Sequence, residues 1–274
     1  MKTLEFHKME GTGNDFVVVD NRNYNFALNE IINFTPKLCD RKFGIGADGL
    51  LVLQKSSNPN ADYTMIYRNA DGSDAGMCGN GGRCLALFAS QNGFPKKHSF
   101  NVHDNIYKAE VSEDEVSVHF PVKVKPVSLK LDGEEFLKAD AATEHLVKFV
   151  QQSVLDDENA LLKTGRKFRM HKEMNPPGTN VNFVQLLDNQ SIKVQTYERG
   201  VENLTLACGT GALAAAIAAH NVQENRELHS TYEVHMKGGL LKATFDYAPQ
   251  SNIYQNLILT GPAHFVFKGI VTLR

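Results

Sequence analysis

One short block occurs twice, and it limits what the chain can fold into. Met77-Cys78-Gly79-Asn80-Gly81-Gly82-Arg83 opens an apolar run that reaches Ser90. Ala207-Cys208-Gly209-Thr210-Gly211-Ala212 opens an Ala-rich run that reaches His220. In both, a cysteine precedes Gly-x-Gly and then residues of helical composition. A helix that starts this way leaves its first backbone N–H groups without intrahelical acceptors and sets the positive end of its dipole beside the cysteine. Such a place binds an anion and lowers a thiol pKa. Each block also follows a Gly-Thr-x-x-x-Phe-Val segment, at Gly11 to Val17 and at Gly178 to Val184. The interval to the cysteine is far longer in the first half, so the pattern reads as a diverged duplication with an insertion. Two such α/β units facing each other would put two cysteines across one cleft.

The chain has room for one large domain or two ordinary ones, each with a core. A hydrophobic content of 42% and a charged content of 22% describe a globular protein. A net charge of −2 gives no basic footprint for nucleic acid, and no apolar run reaches the length of a membrane span. Met1 to Gly11 lacks the apolar centre of a secretion signal. With Cys39, Cys78, Cys84 and Cys208 irregularly spaced, the expectation is reduced thiols in a cytoplasmic protein, with neither a disulfide framework nor a zinc site.

In order, Phe16 to Asp20 reads as a buried strand and Ala27 to Asp40 as a helix capped by Asn29 or Thr35. Gly44-Ile45-Gly46-Ala47-Asp48-Gly49 matches a dinucleotide fingerprint formally, but a strand, Leu50 to Leu53, follows where a helix belongs. It therefore reads as a glycine turn. Tyr63 to Tyr67, Ser99 to Val102, Tyr107 to Val111 and Val116 to Phe120 read as strands, and Cys78 to Gln91 as the first cysteine helix. Pro121 and Pro126 flank a crossover into a second domain. Glu144 to Gln152 fits a helix or a strand plus turn, and Asp156 to Arg166 reads as polar surface. Asn180 to Leu187 pairs with Ile192 to Tyr197 across Asp188-Asn189; four strands from Tyr232 to Phe267 close the chain.

Two thiols on opposite sides of a substrate suit a symmetric reaction: one thiolate takes a proton from carbon and the other thiol returns one to the opposite face. The free N–H groups of both helices would hold a carboxylate at the reacting centre, where charge develops. That combination points to stereoinversion at a carbon beside a carboxylate.

Five blocks carry a resemblance to a known family. They are Glu10-Gly11-Thr12-Gly13-Asn14-Asp15-Phe16, Asn69-Ala70-Asp71-Gly72-Ser73, Met77 to Cys84, Thr179 to Val184, and Tyr197 to Glu202 running on to Cys208-Gly209-Thr210-Gly211. In sequence and order they resemble diaminopimelate epimerase. The resemblance implies a pyridoxal-independent, metal-free enzyme that interconverts LL- and meso-2,6-diaminopimelate on the route to lysine and peptidoglycan. It implies an α/β (α+β-like) fold of two pseudo-symmetric halves, each a curved, mostly antiparallel sheet or barrel around a central helix, with the active site in the cleft between them. The halves would be 1–119, joined by a returning strand at 263–274, and 120–262; a homodimer is also implied. Position by position, Cys78 and Cys208 become the acid–base pair, Cys78 acting as base toward the LL isomer. Gly79, Asn80, Gly209 and Thr210 become the carboxylate clamp. Asn14, Asn69, Asn180, Glu198 and Arg199 match substrate-holding positions, Arg199 suiting the distal carboxylate and Glu198 the distal ammonium.

The chain departs from the family pattern twice. Thr143-Glu144-His145 stands where a Pro-His pair is usual, and Asn203-Leu204-Thr205 where Gly-Glu-Thr is usual. Taken alone, Cys39 and Cys84 read as buried small apolar residues, and Asn14, Asn69 and Asn180 as turn residues. Competing functions are a proline or hydroxyproline racemase, a phenazine-type isomerase or binding protein of the same fold, and a thiol redox protein. The charged Glu198-Arg199 pair and Asn69 speak against the first, and both retained cysteines against the second. In the redox case Cys78 and Cys208 would form a switchable disulfide, which fits better as a side reaction of an enzyme.

Overall fold

The computed structural model describes residues 2–188 and 190–273. Met1, Asn189 and Arg274, and with Asn189 part of the turn expected at Asp188-Asn189, lie outside them. Two compact units emerge. One holds the chain up to Val118 and resumes at Gly261; the other is His119–Thr260.

In the first unit β1 (Lys2–Gly11) runs antiparallel to β2 (Asn14–Asp20). The one-turn α1 (Asn21–Tyr24) and then α2 (Leu28–Cys39) lead to β3 (Gly49–Lys55), which lies parallel to β2 with Phe16 opposite Gly49. β4 (Tyr63–Asn69) returns antiparallel. α3 (Gly79–Gln91) crosses to β5 (Lys97–Val102), parallel to β4, and β6 (Asn105–Val111) closes an antiparallel hairpin. β7 (Val116–Phe120) leads out of the unit.

β2 and β3 read as unbroken apolar runs because both of their faces are covered. Val17, Val19, Leu50 and Val52 join Ile31, Phe34 and Leu38 of α2 in one cluster. Leu51, on the other face, packs so closely on α3 that a Cβ at Gly81 would stand 3.0 Å from it. Ala27, not Asn29 or Thr35, is the residue before α2; Glu30 accepts from its N–H at 3.0 Å, and Asn29 Oδ1 accepts from Glu30 N–H at 3.0 Å. Thr35 lies inside the helix and donates to the Ile31 carbonyl.

The second unit begins with the hairpin of β8 (Val127–Leu131) and β9 (Glu134–Lys138), and β10 (His145–Phe149) pairs antiparallel with β9. The one-turn α4 (Gln152–Leu155) and α5 (Glu158–Arg169) lead to β11 (Asn180–Asp188), parallel to β10 with His145 opposite Asn180. β12 (Ser191–Glu198) returns antiparallel, with short β13 (Asn203–Thr205) beside it. α6 (Gly209–Asn221) crosses to β14 (His229–Met236), parallel to β12. β15 (Gly239–Ala248) and β16 (Ile253–Gly261) follow antiparallel. β17 (His264–Leu273) then returns to the first unit and pairs antiparallel with β1.

The stretch expected as polar surface at Asp156 to Arg166 is mostly helix. Leu161, Gly165 and Phe168 of α5 share one buried stripe, packed in a cluster with Leu146, Val181 and Tyr197. Gly165 sits so close to Tyr197 that a Cβ there would lie 2.5 Å from its side chain.

The internal order of the two units corrects the register of the duplication. Parallel, antiparallel, parallel and antiparallel pairings run through β2-β3-β4-β5-β6 and again through β10-β11-β12-β14-β15. Helices α2 and α5 fill the first crossover, and α3 and α6 the second. β11 therefore corresponds to β3, not to β2, although Phe-Val recurs in β2 and β11. The lengths from the start of β3 to Cys78 and from the start of β11 to Cys208 differ by a single residue, so no insertion is needed. Any strand buried on both faces favours such β-branched and aromatic pairs, which makes them poor register marks.

Candidate functional site

Each cysteine is the residue before its helix. Cys78 is extended (φ −114°, ψ 123°), its carbonyl accepts from Gly82 N–H at 2.8 Å, and its sulfur accepts from Gly81 N–H at 3.4 Å. Cys208 is likewise extended (φ −126°, ψ 112°), and its carbonyl accepts from Ala212 N–H at 2.9 Å. The helices behind them have almost no solvent face: every residue of α6 from Gly209 to His220 is buried. Alanine is what such a helix needs, because small side chains let the surrounding strands approach. Glycine at 211 has its own cause, since a Cβ there would sit 2.6 Å from Asn182 Oδ1. All four cysteines are free thiols. Burial pushes Cys39 up to about 12 and Cys84 higher still, so both are inert core residues, as their composition suggests.

Around Cys78 the structure gathers Asn14, Gly79 and Asn80. Asn14 stands at the start of β2, where its Oδ1 faces the Cys78 sulfur at 3.7 Å and the Asn80 amide nitrogen at 3.5 Å. Its Nδ2 donates to Asp48 at 2.7 Å. Asn69 ends β4 at the same edge of the sheet, one strand beyond Gly49, and its side chain donates to Ser73 Oγ within its own turn. Under the helix start lies Arg83, fully buried, donating to Thr12 Oγ1 at 2.7 Å and to the Pro262 and Gly79 carbonyls. Burial lowers its pKa, with Cys84, Cys78 and Glu10 opposing.

Cys208 has different neighbours. Its sulfur lies 3.7 Å from Thr210 Oγ1. Thr210 Oγ1, Thr143 Oγ1 and His145 Nε2 form a triangle with sides of 2.9, 3.0 and 3.1 Å. Thr196 donates to Asn182 Oδ1, which turns the Asn182 NH2 toward His145 Nδ1 at 3.0 Å and the Leu146 carbonyl. Nδ1 is therefore an acceptor, and the ring proton sits on Nε2 facing the threonines. Burial, then the Arg199 charge, lowers the His145 pKa to about 3, so the ring is neutral at ordinary pH.

Asn180 and Arg199 come together at the same end of these strands, Asn180 directly opposite His145. Asn180 Oδ1 accepts from Arg199 N–H at 2.9 Å, and its Nδ2 donates to the Glu144 carbonyl. The Arg199 guanidinium donates to Glu144 Oε2 at 2.8 Å and to the Gly178 carbonyl at 3.1 Å. Glu198 is half-buried at the end of β12, opposite Asn203. Leu204, where the family pattern has a carboxylate, packs against the apolar cluster under α5.

The site residues named from sequence thus fall into two groups: Asn14, Asn69, Cys78, Gly79 and Asn80 in one unit, and Asn180, Glu198, Arg199, Cys208, Gly209 and Thr210 in the other. Sequence reasoning gave no role to Asp48, Arg83, Glu144 or Asn182, and named Thr143 and His145 only as standing where the family's Pro-His pair is usual. For Asn182 a signal existed: it lies two residues past Asn180 on a strand and so shares its face.

Comparison with known proteins agrees with this architecture. A phenazine biosynthesis protein of the PhzF family from Bacillus anthracis superposes with a TM-score of 0.76 at 12% identity, each chain covered in full. A hydroxyproline epimerase from Agrobacterium vitis, solved with trans-4-hydroxy-L-proline, gives 0.72 at 13%, covering 99% of this chain and 93% of the other. The fold is thus the two-halved one shared by phenazine biosynthesis proteins and proline racemases. Sequence narrows it further. The family model described as diaminopimelate epimerase matches residues 6–131 and 137–266. Diaminopimelate epimerases from Flavobacterium psychrophilum and Aquifex aeolicus are 36% and 38% identical, covering 98% and 97% of this chain and 100% and 97% of their own lengths. The chain belongs to the diaminopimelate epimerase family.

Proposed function

We propose that the protein interconverts LL- and meso-2,6-diaminopimelate without pyridoxal phosphate, using Cys78 and Cys208 as the two proton-transfer groups. The observation that carries this is the matched pair of cysteines, each capping a buried helix that opens Gly-x-Gly. A thiolate on one face of the α-carbon takes its proton and becomes a thiol. The electron pair left behind spreads into the carboxylate, whose growing charge is met by N–H groups of Gly79, Asn80, Gly209 and Thr210. The other thiol delivers its proton to the opposite face and is left as thiolate, ready for the reverse reaction. In the LL-to-meso direction Cys78 is the base.

Arg199 takes the distal carboxylate and Glu198 the distal ammonium, with Asn14, Asn69 and Asn180 completing the hydrogen bonds. The Arg199–Glu144 ion pair supports this reading, since it holds the guanidinium in place before substrate arrives. The product feeds lysine and peptidoglycan precursors in the cytoplasm; no helix among the described residues is long and apolar enough to cross a membrane. The working form is a homodimer, and the exposed Val266, Phe267 and Ile270 of β17 supply apolar surface for a second copy. The deciding experiment incubates purified protein with LL-diaminopimelate and, separately, L-proline in deuterium oxide, with chiral separation of products. Inversion and α-deuteration of diaminopimelate are expected; activity on proline alone would sink the assignment.

A further inference from the structure

The Gly44–Gly49 loop, which resembles a nucleotide fingerprint only in its letters, places Asp48 against the first cysteine's neighbour. We propose that Asp48 is a positioning residue that fixes which way the Asn14 amide faces Cys78; this rests on the reading of Cys78 as an acid–base group.

The oxygen and nitrogen ends of a carboxamide differ little in shape, and the hydrogen-bond partners decide which is which. A carboxylate only accepts. Asp48 Oδ2, 2.7 Å from the Asn14 side chain, therefore takes its NH2 end and leaves Oδ1 toward Cys78 and Asn80. Asp48 is itself held. Its Oδ1 accepts from Arg41 at 2.7 Å, and Oδ2 also accepts from Asp15 N–H at 3.3 Å. Asp15 is clamped in turn by Arg41 and by buried Lys8, which also donates to the Gly46 carbonyl of the loop. Burial would raise the Asp15 carboxyl, but those two cations hold it well below the usual carboxylate range. The loop is thus a hydrogen-bonded frame that reaches toward the cysteine through the Asn14 amide.

An oxygen at the sulfur accepts from the thiol S–H and disfavours the thiolate; an NH2 there would do the reverse. With Asp48 in place, Asn14 opposes the pull that the α3 N-terminus and Arg83 exert on the Cys78 proton. The other charged or titratable groups facing this region are Cys84 and Glu10 beside Arg83, His264 beside Glu10, and Asp15, Lys8, Arg41 and Cys39 behind Asp48. None of them changes in the comparison that follows. Two bland roles are to be separated from this one. Asp48 could merely tie the loop to Arg41, an exposed ion pair of little worth, or act on Cys78 as a negative charge through space.

The test is a double-mutant cycle read by the pH dependence of Cys78 alkylation with iodoacetamide, followed peptide by peptide in the free protein. Asp48→Asn is isosteric. It can keep its oxygen on the Asn14 NH2 and turn its own NH2 to solvent or to the Asp15 carboxylate, so it serves as the control that retains the acceptor. Asp48→Ala removes both oxygens, and we expect it to lower the Cys78 midpoint by about one pH unit in the wild-type background and to leave it unmoved in Asn14→Ala. An unchanged midpoint, or the same fall in both backgrounds, overturns the proposal. Should Asp48→Ala not fold, Asp48→Leu runs through the same cycle with the same two readings. No substrate enters this measurement, so it stands apart from the fate of the proposed function, which the wild-type assay on diaminopimelate decides.

Discussion

The two halves use one backbone plan to surround their cysteines with different chemistry. In each, a strand start faces the residue two positions past the cysteine: Asn14 at the head of β2 meets Asn80, and Thr143-Glu144-His145 at the head of β10 meets Thr210. The first half turns its carboxamide with a carboxylate on a half-exposed loop. The second turns an imidazole with a buried asparagine and keeps it neutral. Cys78 is half-buried and Cys208 nearly closed off. Duplication therefore preserved what the backbone supplies, a helix that starts directly behind an extended cysteine, while the side chains around each thiol diverged.

That comparison breaks most sharply at the cysteines. Cys78→Ala and Cys208→Ala are each expected to reduce turnover by about 10²–10⁴-fold, the usual worth of a positioned acid or base. Single-turnover α-deuterium exchange should distinguish them, each variant losing proton abstraction from a different epimer. Equal residual exchange from both epimers in either variant would remove the division of roles.

Acid should loosen the strands around His145 more than those around Asp15, although burial also lowers the pKa of His7 and His98 in the first half. His145 has its pKa depressed to about 3 by burial and by Arg199, against about 6.5 unfolded. Its contribution is whole above about pH 6.5 and is lost as the pH falls toward 3, on the order of 5 kcal/mol in all. Asp15, also depressed, starts to lose its contribution only below the ordinary carboxylate pKa near 4. Hydrogen exchange by mass spectrometry between pH 7 and 4 should show β10 and β11 opening while β2 and β3 stay closed, and His145→Asn should flatten that trend.

Gly211→Ala should destabilise by about 1–3 kcal/mol, because its Cβ would drive into Asn182 Oδ1 and disturb His145. Gly81→Ala meets a Leu51 methyl instead and should cost less. Denaturant midpoints give the order. Smallest is the contrast in helix caps. Asp157 caps α5 by accepting from Ala160 N–H at 3.1 Å, whereas Ala27 at the same place on α2 has no side-chain acceptor. Asp157→Ala should lose about 1 kcal/mol and Ala27→Asp should gain a fraction of that, both read from thermal midpoints.

The fold class, the cysteine helices and most strands were legible because buried runs such as Phe16 to Asp20 and Leu50 to Leu53 have no other use. Helix α5 was not. Three buried positions among lysines, arginines and a glycine give little apolar signal, and Gly165 is there only because Tyr197 passes so close. The duplication register was misread for a related reason: local strand chemistry recurs, whereas pairing order is a property of distant segments. Within the sites, the family blocks brought in Asn14 from a distant strand as well as the residues beside each cysteine, whereas Asp48 and Asn182, which act through Asn14 and His145, were given no role. Asp48 meets Asn14 across the sheet, and His145 meets Thr210 from a strand far earlier in the chain.

The last strand has one more implication, for the order in which the molecule can be made. On a ribosome the whole of His119–Thr260 emerges as a contiguous stretch and can pair every one of its internal strands before synthesis ends. The half that was translated first cannot. β1 must keep its outer edge open until β17, which follows the whole of the other unit, has been made. The amino-terminal half is begun first and finished last, and through that interval its unpaired edge is exposed to every other nascent strand in the cell.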